Sequence, residues 1–325
     1  MNRSMYTVFS FFKMICNRFA AASLLAFTLG LSVYGQTDTT LTQALSFATP
    51  NEAASALIEA AEKFDEAQLS RIFGPNSYDI IHTGEPLLDR QQMSDFAAEA
   101  RIKNDISFAP KNRNSAVMLI GNEDWPVPIP LVKKAGRWSF DAKAGRQELL
   151  FRRIGRNEIT AIEVCQGFVE AQHEYALTKH DDSIVNQYAQ RIISTPGKHD
   201  GLAWQNADGS WGGSISERAA HEIAKGYSGR AEPFHGYYFR VLKGQGAHAR
   251  MGVMDFVIDD AMIGGFALVA FPAQYKVTGV MTFIVNQDGV VYEKDLGPKS
   301  LDAGLLMERF DPDKTWTVAD VDFEE

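Results

Sequence analysis

Apolar positions along the chain change period three times. The first stretch, Phe19–Tyr34 (FAAASLLAFTLGLSVY), is continuously apolar and follows a basic, acid-free start containing Arg3, Lys13 and Arg18. It is too short to span a bilayer comfortably and reads as the core of an export signal, with Val33 and Gly35 before a cut that leaves Gln36 first. Residues 1–35 are therefore expected to be a signal peptide and 36–48 a polar leader. Helical spacing begins next. Thr49-Pro50-Asn51-Glu52 joins a hydroxyl cap, a proline at the first helical position and a glutamate three residues after the cap. Ala53, Ala56, Leu57, Ala60, Ala61 and Phe64 then recur on one face, predicting a helix over 50–63, and a second helix over 66–73 stops at Gly74-Pro75. Asp89 is read as the cap of a third helix over 90–103.

Beyond Asp105 the period becomes that of strands: 116–120, 127–133 and 137–140, split by Gly121-Asn122 and Ala135-Gly136. Pro126, Pro128 and Pro130 occupy alternate positions, so their missing amides face one side, as on an edge strand. Helical spacing returns over 142–154, with Arg156-Asn157 as a joint before a long helix over 158–178. The turn-rich segment 195–216 is too long for a simple connector. Five strands are expected after it, at 237–242, 253–258, 266–271, 279–286 and 290–294, with Asn286-Gln287-Asp288-Gly289 as a hairpin turn. The pattern is α+β in two domains. Residues 49–156 form helices on a bent antiparallel sheet, and 157–325 a long helix followed by an antiparallel meander.

Charge narrows the partners. Lys plus Arg number 32 against 41 Asp plus Glu, a net charge of −9, and loss of the leader removes three more bases and no acid. Nucleic acid is not an expected partner, because polyphosphate is held by clustered cations and the densest basic run, Arg146 to Arg156, is mixed with Glu148. Removing Cys16 with the leader leaves Cys165 alone, so no internal disulfide forms. Cys165 shares an apolar helical stripe with Ile159, Ile162, Phe168 and Val169, the setting of a small buried hydrophobe. No transmembrane segment is expected after the leader is cut.

No complete catalytic constellation is present. The seven histidines, His82, His173, His180, His199, His221, His235 and His248, do not pair at metal-ligand spacing, and no metal or cofactor is expected. His180-Asp181-Asp182 opens like a calcium loop, but Ser183-Ile184-Val185 puts apolar side chains where oxygen ligands belong, so a helix-end turn is preferred. Gly212-Gly213-Ser214-Ile215-Ser216 lacks the second glycine of a nucleophile elbow, and Gly244-Gln245-Gly246 lacks the third glycine of a dinucleotide fingerprint. The most suggestive surface is the loop carrying Trp204 and Trp211, placed beside His235 and Tyr237, since aromatics on a polar loop provide flat contact area. An alternative pocket in the first domain would gather Tyr78, Asp79, His82, Asp95 and Trp125.

The stretches WPVPIPL (125–131) with GRWSFD (136–141), RRIGRNE (152–158), YAQRIISTPGKHD (188–200), FHGYYFR (234–240) and the segment 262–297 resemble a bacterial family of exported proteins known only as domain of unknown function 2950. The resemblance implies an architecture and a location outside the cytoplasm, periplasmic or extracellular, and no catalytic residue. The order of elements in the first half is also similar to cystatin-like, nuclear-transport-factor-two-type domains, and that of the second half to pilin and pseudopilin heads. The expectation is a non-enzymatic binding or assembly module of the cell envelope, with an envelope protein or glycan as partner. The alternative is an envelope hydrolase or small-ligand enzyme using the first-domain pocket.

Overall fold

The computed structural model describes residues 43–82, 86–216 and 233–319. The expected signal peptide and most of the leader, and likewise His221, lie outside the described residues. Among the described residues no helix is long and apolar enough to cross a membrane. The chain divides into two compact units, residues 1–150 and 151–325, and its class is α+β.

In the first unit, α1 (Pro50–Glu62) begins as its local signal dictates: Glu52 N donates to Thr49 Oγ1 at 3.1 Å, and the Glu52 carboxylate accepts from Ala48 N at 3.0 Å. Asp65 caps α2 (Glu66–Phe73), which ends at Gly74 with φ 85°. A single turn, α3 (Tyr78–Ile81), precedes α4 (Pro86–Ile102). The sheet comprises β1 (Asn104–Ala109), β2 (Asn112–Ile120), β3 (Trp125–Pro126), β4 (Leu131–Lys134) and β5 (Arg137–Phe140), in the order β1-β2-β4-β5 with β3 added to β2. Leu57, Leu69, Ile72 and Phe73 from the helices pack on Ala116, Leu131, Trp138 and Phe140 from the sheet. The side of the sheet that faces the helices is thus filled by apolar side chains.

Two sequence expectations change here. Helix α4 starts before Asp89, so Asp89 is not its cap but a buried acid in its first turn. The alternating prolines form an edge strand only at Pro126, since β3 pairs with β2 alone. Pro128 and Pro130 interrupt the run, and β3 and β4 pair with successive parts of β2, at Leu119↔Pro126 and Ala116↔Leu131. Each proline removes one ladder donor, so the chain leaves the sheet where they cluster.

A 34-residue helix, α5 (Ala142–Tyr175), begins in the first unit and ends in the second. It continues through Arg156-Asn157, where the sequence suggests a joint. The polar residues there have tertiary partners: Asn157 Nδ2 donates to Thr278 O at 2.9 Å, and Glu158 Oε1 accepts from Val280 N and Met281 N at 2.7 and 3.0 Å. They pin a return segment of the second unit to the helix.

The second unit contains β6 (Arg191–Ile193), β7 (Gly201–Gln205), β8 (Trp211–Gly213), β9 (Tyr237–Leu242), β10 (Gly244–Gln245), β11 (Met254–Asp255), β12 (Val257–Ile258), β13 (Ala261–Met262), β14 (Ala267–Pro272), β15 (Met281–Asn286), β16 (Tyr292–Asp295) and β17 (Thr317–Val318). Its main sheet is antiparallel in the order β17-β16-β15-β14-β9, and a short helix, α6 (Ser300–Leu306), packs on β14. Every residue of β14 is buried, so both faces of this central strand are covered. Ala161, Ile162, Cys165, Phe168, Ala171 and Tyr175 form the buried stripe of α5 in the same core. Cys165 is fully buried, and burial pushes its thiol pKa up, which fits the small-hydrophobe reading.

Burial, and then the nearby Glu158 carboxylate, raise the pKa of Glu293 on β16. A carboxyl raised in the folded state binds more protons there than when unfolded, so its charging costs stability as pH rises through the folded pKa. Glu293→Gln should therefore stabilise the protein at neutral pH, with the difference from the parent vanishing below the ordinary glutamate range. Urea midpoints measured at several pH values check this, and a variant less stable at neutral pH would contradict it.

Candidate functional site

The C-terminus of α5 and the turn after it build a polar and aromatic cluster around Trp204. A helix leaves its last carbonyls without partners, and His180 satisfies one: its Nε2 lies 3.0 Å from Tyr175 O and 3.2 Å from Thr178 Oγ1. A carbonyl only accepts, so Nε2 carries a proton. The imidazole stacks on the Tyr175 ring, with centroids 3.9 Å apart and planes 15° apart. Asp181 and Asp182 follow in left-handed backbone, at φ 49° and 57°. The segment is a helix-end turn.

Asp181 reaches across to the start of β7. Its carboxylate accepts the backbone N–H of His199, and its Oδ1 lies 2.7 Å from His199 Nδ1. Burial acts to raise the Asp181 pKa, but the hydrogen bonds from the His199 backbone and ring outweigh it and hold the carboxyl below its usual value. The Tyr175 hydroxyl donates to His199 O, and its pKa is raised by burial and by Asp181 and Asp200. Asp200 in turn accepts from Thr195 N and Oγ1 at 2.7 and 2.8 Å.

Trp204 on β7 completes the cluster. Its ring stands 4.6 Å from that of His199 at 88°, and 5.7 Å from that of His180. Trp204 pairs with Gly212 across the β7–β8 hairpin, and a Cβ on Gly212 would come within 2.7 Å of the indole Nε1. The glycine lets the half-buried indole lie across the strand. The segment read as an irregular loop is thus an ordered hairpin, with β6 added to it in parallel.

The hairpin register separates the two tryptophans. Trp204 faces Gly212 while Trp211 faces Gln205, and side chains alternate along a strand. The indoles therefore project from opposite faces and do not form one surface. His235 sits in the turn before β9 at φ 46°, its ring edge-on to Phe234. Tyr237 is a correction of another kind: it is 1 % exposed, with its hydroxyl donating to Met281 O at 2.9 Å, so it belongs to the core and offers no contact surface.

The alternative pocket is brought together only in part. Tyr78 and His82 stack with centroids 4.3 Å apart, but Asp79 binds Arg146 Nε at 2.7 Å, Asp95 accepts from Gln91 at 2.7 Å, and Trp125 lies on β3 opposite Ile120. His82 instead stands between Glu66 and Asp89, with ring nitrogens 3.5 and 3.6 Å from their carboxylates. Neither acid stands out in the sequence, since Glu66 opens a helix and Asp89 mimics a cap. Asp181 and His199 are 18 residues apart, and nothing in the sequence pairs them. Among the described residues no group of three or more His, Cys, Asp or Glu side chains is placed to hold a metal ion.

A family model described as "Protein of unknown function (DUF2950)" matches residues 44–319. No curated protein and no solved structure matches the chain.

Proposed function

The chain belongs to this family of proteins of unknown function, and on that footing we propose that it is an exported, non-enzymatic binding or assembly component of the cell envelope. The observation that carries the reading is the Trp204 face. A half-buried indole is flanked by two imidazoles, and each imidazole is fixed by a separate anchor, His180 on the helix end and His199 on Asp181. Aromatic side chains held rigid before contact lose little entropy on binding, which suits an envelope protein or glycan as partner. The basic, apolar leader supports a place outside the cytoplasm, periplasmic or extracellular.

The rival reading, an envelope hydrolase or small-ligand enzyme in the first unit, draws on His82 beside the buried Asp89. The His82 ring stands 3.5 and 3.6 Å from its carboxylates, whereas the imidazoles beside Trp204 are held at 3.0 and 2.7 Å, so the better-ordered Trp204 face makes binding the stronger reading.

Crosslinking in intact cells followed by affinity capture tests the proposal. Trp204→Ala should cut partner recovery by about thirtyfold, the effect of removing one central aromatic anchor, while Trp211→Ala, on the other face, leaves recovery unchanged. Far-UV circular dichroism confirms that both variants are folded. Recovery unaffected by Trp204→Ala, or lost with Trp211→Ala alone, would remove this face from consideration.

A further inference from the structure

Three segments of the second unit that are distant in sequence, the turn 248–250, the β15–β16 hairpin and the strap 310–312, line a half-open pocket of about 410 Å³. That volume lies in the range of small-ligand sites, about 300–1,000 Å³. The Asn286-Gln287-Asp288-Gly289 turn contributes Asn286 and Asp288 to its lining. The strap runs beside Gly244-Gln245-Gly246, with Gly246 N donating to Phe310 O and Phe310 N to Gly244 O, each at 2.9 Å. A Cβ on Gly246 would fall 2.3 Å from the Asp311 carboxyl carbon, so only glycine admits that carboxylate.

Asp311 then orients His248. It accepts the His248 backbone N–H at 2.8 Å and stands 3.1 Å from the ring Nδ1. A carboxylate only accepts, so Nδ1 bears the proton, and in the neutral ring Nε2 is left as an acceptor. Asp288 N donates to Asn286 Oδ1 at 3.2 Å, and the Asp288 carboxylate lies 3.7 Å from the Arg250 guanidinium. Tyr292 and Phe310, with ring centroids 6.0 Å apart, supply the apolar wall.

In the lining the charge of Arg250 is offset by Asp288, and His248 presents Nε2. An anion entering here would meet the Asp288 carboxylate, and a metal cation would meet a guanidinium. A zwitterion would have to pull the Arg250–Asp288 pair apart. Neighbouring hydroxyls face none of these obstacles, because each can donate to a carboxylate while accepting from the guanidinium or the Asn286 amide. The C–H face of a sugar ring meanwhile suits an aromatic wall. We propose that this cavity binds a short uncharged saccharide. The assignment stands on the cavity alone and does not depend on the Trp204 face.

Isothermal titration of the full chain with maltose, cellobiose and N,N′-diacetylchitobiose tests it, with inorganic phosphate and glutamate as competing chemistries. Saturable binding of at least one disaccharide is expected, weakened at least about tenfold by Arg250→Ala, the loss expected for a hydrogen bond to a charged group. The Arg250 side chain is 81 % exposed, so its removal should leave the thermal midpoint unchanged. Asp288→Asn, which keeps the shape and removes the charge, should weaken binding in the same direction. Trp204→Ala should leave the titration intact, which separates this site from the partner face. Failure of all three disaccharides to bind, equal affinity in the Arg250→Ala protein, or preference for phosphate or glutamate would each overturn the proposal.

Discussion

Phe266→Ala is expected to lower the unfolding free energy by about 3–5 kcal/mol, the range for emptying a buried aromatic position. Phe266 is fully buried at the entry to β14, and its ring meets three others edge-on: Phe168 at 5.6 Å, His173 at 5.5 Å and Tyr188 at 4.8 Å. Two of these rings come from α5 and one from the segment after it, so the side chain ties the helix to the sheet. Collapse into the void is hindered, because Gly265 already lies against Phe256, where a Cβ would stand 3.0 Å from the ring. A lower urea midpoint with unchanged slope is the expected readout. A loss below about 1 kcal/mol would mean that the site repacks freely, and would contradict the rigid core described here.

Gly304→Ala opposes two effects of known sign. Gly304 lies in the short helix α6, where alanine is intrinsically better by about 1 kcal/mol. A Cβ there would come 2.2 Å from Cγ of Phe271, a ring on β14 that is 1 % exposed. The contact is with the base of the ring and not with a flexible tip, so either the ring or the helix must move, at a cost of about 1–3 kcal/mol. Arg240 Nη2 also donates to Gly304 O at 3.1 Å, which resists displacement of the helix. Packing should win, and the thermal midpoint should fall. A midpoint that rises would show that α6 is free to lift from β14.

The elements legible in the sequence are those whose cause is local. Thr49 and Glu52 satisfy amides within four residues of themselves, and Gly74 ends α2 by its own backbone freedom, so the first helices begin and end where their residues say. The strands of the main sheet could be read as well, because β9, β14, β15 and β16 are rich in strand formers bounded by turn residues. Asp89 misled, since an acid near a helix start looks the same whether it caps the helix or is buried in its first turn. Arg156-Asn157 misled for a related reason. Polar residues suggest a break, yet here the partners of Asn157 and Glu158 lie more than 120 residues away. The candidate site was legible only as single aromatic residues. Trp204 was visible, but the hairpin register that turns Trp211 to the other face depends on pairing between strands.

Sequence alone determined the α+β class, the Thr49 cap, the buried character of Cys165 and the acidic balance, because each follows from neighbours along the chain or from composition. Tertiary structure alone decided that Asp181 meets His199, that Tyr237 is core, and that segments near residues 250, 288 and 310 line one pocket. These are encounters between residues distant in sequence. Their geometry is set by how the helix, the hairpin and the sheet pack, and no local pattern encodes that packing.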